Sequence, residues 1–128
     1  IMRSHDGDTF YMLATDLKIS GRKGSFSAAQ YNGSLYIEVW ESNDLVNWTN
    51  QRHIKVSDDS AGNTWAPEAY WDDELGEYVV YWASNLYDND DSSTRTSPSY
   101  NLISSRSPNR RRGLTWIGEA KLERVPLM

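Results

Sequence analysis

One stretch constrains the fold of this chain more than any other. Trp65-Ala66-Pro67-Glu68-Ala69-Tyr70-Trp71 is followed by Asp72-Asp73-Glu74-Leu75-Gly76 and then by Glu77-Tyr78-Val79-Val80-Tyr81-Trp82-Ala83-Ser84. The two outer runs are rich in aromatic and, in the second, β-branched residues, as strands are. The run between them is acidic and ends on a glycine able to take a positive φ, which is turn chemistry. Pro67 lies near the start of the first run, where a missing N–H is tolerated. The segment therefore predicts an antiparallel hairpin that carries one carboxylate, Glu68, among large aromatics.

The rest of the chain repeats this grammar. Asp6-Gly7-Asp8 is a turn, and Thr9-Phe10-Tyr11-Met12-Leu13-Ala14-Thr15 a strand with Asp16 at its exit. Residues 18–30 are small and polar and read as a loop. Asn32-Gly33 is a hairpin signal. Beyond it Leu35, Ile37 and Val39 alternate with Tyr36, Glu38 and Trp40, which puts them on opposite faces of one strand. Glu41-Ser42-Asn43-Asp44-Leu45-Val46-Asn47-Trp48 predicts a turn that returns Leu45 and Trp48 to the sheet. Residues 52–56 read as a short strand, and residues 57–63 and 85–99 as polar connections. Strands recurring every ~8–15 residues, with no helix-length period, predict an all-β fold of antiparallel hairpins: sandwich, barrel or propeller.

Charge divides the chain. Residues 1–100 hold seven Lys/Arg and sixteen Asp/Glu, and residues 101–128 hold six and two. Ser104-Ser105-Arg106-Ser107-Pro108-Asn109-Arg110-Arg111-Arg112-Gly113 reads as a linker or foreign tail. The expected organisation is thus a β-unit over residues 1–100 and an atypical, loop-like basic tail over residues 101–128. The net charge of −5 argues against a nucleic-acid partner. There is no apolar run long enough for a membrane helix, so no membrane partner is expected. The start at Ile1 is read as processed, trimmed or internal to a longer protein. Without cysteine no disulfide can form, which leaves the compartment open.

Several chemistries find no support. His5 and His53 lack a metal-ligand spacing and no Cys is present, so neither a metal nor a cofactor is expected. Asp88, Asp90 and Asp91 start like a calcium loop, but the later glycine and glutamate are missing. There is no G-x-S-x-G elbow and no phosphate-binding glycine loop. Asn32-Gly33-Ser34 and Asn47-Trp48-Thr49 match the glycosylation sequon, which matters only in a eukaryotic secretory host. What remains is aromatic surface, with six Trp and eight Tyr. Such residues fill cores or offer flat faces to sugars.

Four pieces, in order, carry a resemblance: Asp8-Thr9-Phe10-Tyr11-Met12-Leu13-Ala14-Thr15-Asp16-Leu17 preceded by Ile1-Met2-Arg3-Ser4; Trp40-Glu41-Ser42-Asn43-Asp44-Leu45-Val46-Asn47-Trp48; Thr64-Trp65-Ala66-Pro67-Glu68; and Tyr78-Val79-Val80-Tyr81-Trp82-Ala83-Ser84. Together they resemble glycoside hydrolase family 43, the five-bladed β-propeller enzymes of xylan and arabinan breakdown. The resemblance implies about two propeller blades, since a blade is a four-stranded sheet of roughly 45 residues. It implies a carbohydrate substrate of the β-xyloside or α-arabinoside type, and that substrate class favours a secreted or periplasmic location. Trp65 would be a stacking platform, with Glu68 and Asp16 as polar contacts at the pocket rim and Asn85 as a further substrate contact.

The family's three catalytic carboxylates do not map onto this chain. Its base sits in an Asp-Pro motif just before the segment matching Ile1-Met2-Arg3, and the other two lie in later blades. Glu68 and Asp16 are the candidates that remain. A truncated hydrolase is therefore expected. The alternatives are a non-catalytic carbohydrate-binding β-domain, with Trp65, Trp71, Trp82 or Tyr70 stacking on sugar, and an inactive structural fragment. Two open blades would also expose strand edges, which predicts a homo-oligomer or swapped dimer.

Overall fold

A computed structural model describes residues 1–17, 19 and 25–98, together with the backbone of one strand within residues 116–121. The chain is all-β, built as two antiparallel sheets. The first takes its strands in sequence order: β1 (Met2–Arg3), β2 (Phe10–Thr15), β3 (Tyr36–Ser42) and β4 (Thr49–Lys55). The second does the same with β5 (Trp65–Asp72), β6 (Glu77–Ser84) and β7 (Trp116–Lys121). A sheet of neighbouring antiparallel strands, four in the first case, is the topology of a propeller blade.

The hairpin expected at Trp65–Ser84 forms, with Asp72 opposite Glu77 and Glu68 opposite Tyr81. Asp72 Oδ1 accepts the N–H groups of Glu74 and Leu75, both at 2.9 Å, and Gly76 closes the turn with φ 65°. Alternation on β3 also holds. Ile37 and Val39 are fully buried, and Tyr36, Glu38 and Trp40 lie on the other, half-exposed face.

The core lies between the sheets. Tyr11, Ile37 and Val39 of the first pack with Val80 and Trp82 of the second, flanked by Met2, Leu13, Ile54, Ala69 and Tyr78. Each buried aliphatic or aromatic side chain contributes about 1.5–3 kcal/mol of transfer free energy. Neither sheet covers its own apolar face, so the two fold as one unit.

The connections behind the core converge on Arg95, which is 4% exposed. Its guanidinium donates to four backbone carbonyls, those of Tyr31 (3.2 Å), Ala61 (3.1 Å), Asp59 (2.9 Å) and Asn89 (2.8 Å). It also stands 4.4 Å from the ring centre of Tyr87. Gly62 is required beside this cluster, because a Cβ there would come within 2.5 Å of Tyr87 Cε2 and 2.6 Å of the Gln30 carbonyl.

Three expectations need correction. Within the stretch read as a loop-like tail, Trp116–Lys121 pairs antiparallel with β6, with Tyr81 opposite Glu119. Residues 99–115 and 122–128 lie outside the described residues, as do 18 and 20–24 of the expected loop. Of that loop's described part, Ala28–Tyr31 make one helical turn, α1. Leu45 does not return to the sheet. Asp44 gathers the N–H groups of Val46 and Asn47 on its carboxylate, which leaves Leu45 at φ 64° and 48% exposed. Trp48 alone is half-buried.

Candidate functional site

The site is built around the start of β5. Behind it lies a buried polar network: Ser57 Oγ is 2.6 Å from Thr64 Oγ1 and 3.4 Å from Ser84 Oγ, and Asn63 Oδ1 accepts the Asn85 N–H at 2.6 Å. These contacts fix the chain just before Trp65. The next residue, Ala66, has φ 52°, a left-handed conformation that costs a non-glycine residue about 1–2 kcal/mol. Its N–H donates to Thr15 Oγ1 at 2.9 Å, which ties β5 to the end of β2. The pairing of β5 with β6 shifts register between Trp65 and Glu68, so Pro67 sits in an irregularity where no ladder N–H is needed.

Just beyond the bulge, exposed Glu68 borders a cavity of about 320 Å³ lined by Ile1, Met2, Leu13, Pro67, Glu68 and Ala69. The cavity lies where β1, β2 and β5 approach one another. Its size is at the small end of ligand pockets, roughly 300–1,000 Å³. Met2, Leu13, Pro67 and Ala69 contribute apolar side chains, but the exposed surface of the cavity is mostly polar, and Glu68 is its carboxylate. Tyr81 Oη donates to Glu68 Oε2 at 2.6 Å. That hydrogen bond, with some burial, raises the Tyr81 phenol above its ordinary pKa of 10.0, so the phenol keeps its proton. Tyr70, 48% exposed, stands 6.3 Å from the Tyr81 ring on the same face.

The other sequence candidates lie elsewhere. Trp65 is half-buried, with the Phe26 ring 5.5 Å away at 32°, and does not line the cavity. Asn85 serves the fold through its backbone, its carbonyl accepting the Gly62 N–H at 2.8 Å. Asp16 Oδ2 accepts the Ser34 hydroxyl at 2.7 Å and sits in a group with Glu38 and His53 on the first sheet. Trp82, 5% exposed, belongs to the core and is closed to a ligand, whereas Trp71 is half-buried against His5 at 4.2 Å. Tyr81, Met2 and Leu13 stand in strands and motifs of the sequence but carry no site role there. The turn register could have supplied Tyr81, since a loop closed by Asp72 and Glu77 places it opposite Glu68.

Two adjoining antiparallel sheets thus hold a carboxylate, bonded to a phenol, at the edge of a cavity between β1, β2 and β5. Residues 1–108 match the model of a family-43-related group described as "probable glycosyl hydrolase domain", and the chain belongs to that family. It is 47% identical over 103 residues to an alpha-L-arabinofuranosidase of Bifidobacterium longum, an alignment covering 77% of this chain and 9% of that protein. It is 32% identical over 80 residues to a beta-xylosidase of Formosa agariphila, covering 62% of this chain and 10% of that protein. The chain thus spans about a tenth of the length of these curated relatives. No solved structure matches it.

Proposed function

We propose that this chain forms the opening blades and one wall of the sugar pocket of a glycoside hydrolase acting on arabinose- or xylose-containing plant polysaccharides or their oligosaccharides. The observation that carries this reading is Glu68, hydrogen-bonded by Tyr81, at the rim of the cavity between β1, β2 and β5. A carboxylate and a phenol exchange hydrogen bonds with sugar hydroxyls, and apolar side chains cover the C–H faces of the ring. The names of the two relatives support the choice of sugars.

Inverting hydrolysis needs an acid and a base about 6.5–9.5 Å apart, with room for water between them. Glu68 is the single carboxylate lining the cavity among the described residues. It is therefore assigned to substrate binding, and the acid–base pair to the remainder of the complete protein. The same observation favours a second reading, a non-catalytic carbohydrate-binding unit.

The test is hydrolysis of nitrophenyl α-L-arabinofuranoside and β-D-xyloside by the complete protein, with Glu68→Gln and Tyr81→Phe alongside. Loss of one sugar hydrogen bond predicts KM raised up to about tenfold with kcat nearly unchanged. A kcat loss of ~10³ or more in Glu68→Gln at constant KM would make Glu68 catalytic instead. Sugar binding without turnover supports the second reading. Neither binding nor turnover sinks both.

A further inference from the structure

The group around Asp16 has a chemistry of its own. Strand register places Ala14 opposite Glu38 and Glu38 opposite His53. Asp16 lies two residues beyond Ala14 and so shares the face of Glu38 and Tyr36. Three strands thereby bring two carboxylates and one imidazole together, with one ligand atom from each within 4.8 Å of the others. Glu38 Oε1 is in direct contact with His53 Nδ1.

Each of the three groups is held by a neighbour. Ser34 Oγ donates to Asp16 Oδ2 at 2.7 Å, and Gln51 Nε2 donates to Glu38 Oε2 at 3.2 Å. The Tyr36 ring stacks on His53 with centroids 4.0 Å apart and planes 5° from parallel. Partners that orient each ligating side chain from outside are the usual second layer of a metal site. The Glu38 side chain is 14% exposed and that of His53 51%, so the group is anchored on one side and open to solvent on the other.

We propose that Asp16, Glu38 and His53 form a binding site for a divalent transition ion, Zn²⁺ or Mn²⁺, with its remaining positions filled by water. A cross-strand Glu–His pair alone needs no third group. The second carboxylate converts that pair into a mixed oxygen and nitrogen donor set. One imidazole with two carboxylates suits ions between hard calcium and soft copper(I). Ligands at about 2.0–2.2 Å from one ion stand about 3.3–3.6 Å apart in a tetrahedron, so the Glu38 and His53 atoms now in direct contact must part as the ion enters between them. The site lies apart from the Glu68 cavity and does not depend on its function.

The test is calorimetric titration of the purified protein with zinc chloride and manganese chloride at roughly pH 7.5, where an ordinary imidazole is neutral. The expected result is saturable one-to-one binding, tighter for Zn²⁺ than for Mn²⁺ and not displaced by Ca²⁺. Asp16→Asn, Glu38→Gln and His53→Phe, the last keeping the stack on Tyr36, should each weaken binding by about tenfold or more. His5→Gln should leave it unchanged. On the unmodified protein, Mn²⁺ should broaden the NMR signals of Tyr36 and His53 before those of His5. Absence of saturable binding, affinity indifferent to His53→Phe, or broadening centred elsewhere overturns the site.

Discussion

Replacing Arg95 with Met keeps the aliphatic stem and removes every donor. Four carbonyls lose a charged partner, and the bond to Ala61 is the one that is fully buried. Hydrogen bonds to a charged group are worth about 1.5–3 kcal/mol each net. Removing the guanidinium recovers its desolvation cost, and water can reach the part-buried carbonyls of Tyr31, Asp59 and Asn89. What cannot be recovered is the buried Ala61 acceptor, about 1–3 kcal/mol, and the cation–π contact with Tyr87, about 2 kcal/mol when desolvated. A net loss of about 3–5 kcal/mol follows. Against a typical total of about 5–15 kcal/mol, that is a large share. It should lower Tm by about 10–20 °C, followed by circular dichroism and tryptophan fluorescence. Arg95→Lys keeps the charge but offers three donors on one nitrogen instead of a planar fork, so it should recover only part of the loss. An Arg95→Met protein within about 1 kcal/mol of wild type, or a Lys variant equal to it, would refute the reasoning.

Asp44 carries a pH-dependent contribution. The Asn47 N–H and side-chain amide, the Val46 N–H and the Ser42 hydroxyl hold its carboxyl well below its ordinary 3.8. A depressed folded pKa gives stability that is full above the unfolded value and is lost as pH falls toward the folded one. The Tm advantage of wild type over Asp44→Asn should therefore be constant from about pH 5 to 7 and shrink below about pH 4. Gly62→Ala should lower the urea midpoint by the equivalent of about 1–3 kcal/mol, because its Cβ would meet Tyr87 and the Gln30 carbonyl. An unchanged midpoint would mean that the connections do not pack this closely.

Local chemistry made most of the strands legible, and long-range convergence hid most of the site. The acidic turn at 72–76 and the alternation over 35–40 each point to one structure by themselves, and both formed as read. Arg95 stands in a polar stretch with nothing beside it to suggest burial. Its partners lie as far as 64 residues away. His53 looked isolated because its partners are cross-strand. Its register is further obscured by the irregularity between Val39 and Glu41, which shifts the pairing of β3 with β4. Glu68, a pocket contact by its motif, lies beside a cavity. Asp16 was grouped with it because both are carboxylates near strand ends, yet the two join different hydrogen-bonded groups on different sheets. Tyr11, a strand residue like any other in the sequence, became core because its face meets the second sheet.

The core shared between the sheets has a consequence for synthesis. The last strand of the first sheet ends at Lys55, but Val80 and Trp82, which cover Ile37 and Val39, follow about 25 residues later. At about 5–20 residues per second, a nascent chain would hold a completed sheet with a bare apolar face for about 1–5 s. During that interval any other strand-rich segment, including one from a neighbouring ribosome, competes for the same surface. Translation speed across β5 and β6 thus becomes a determinant of yield.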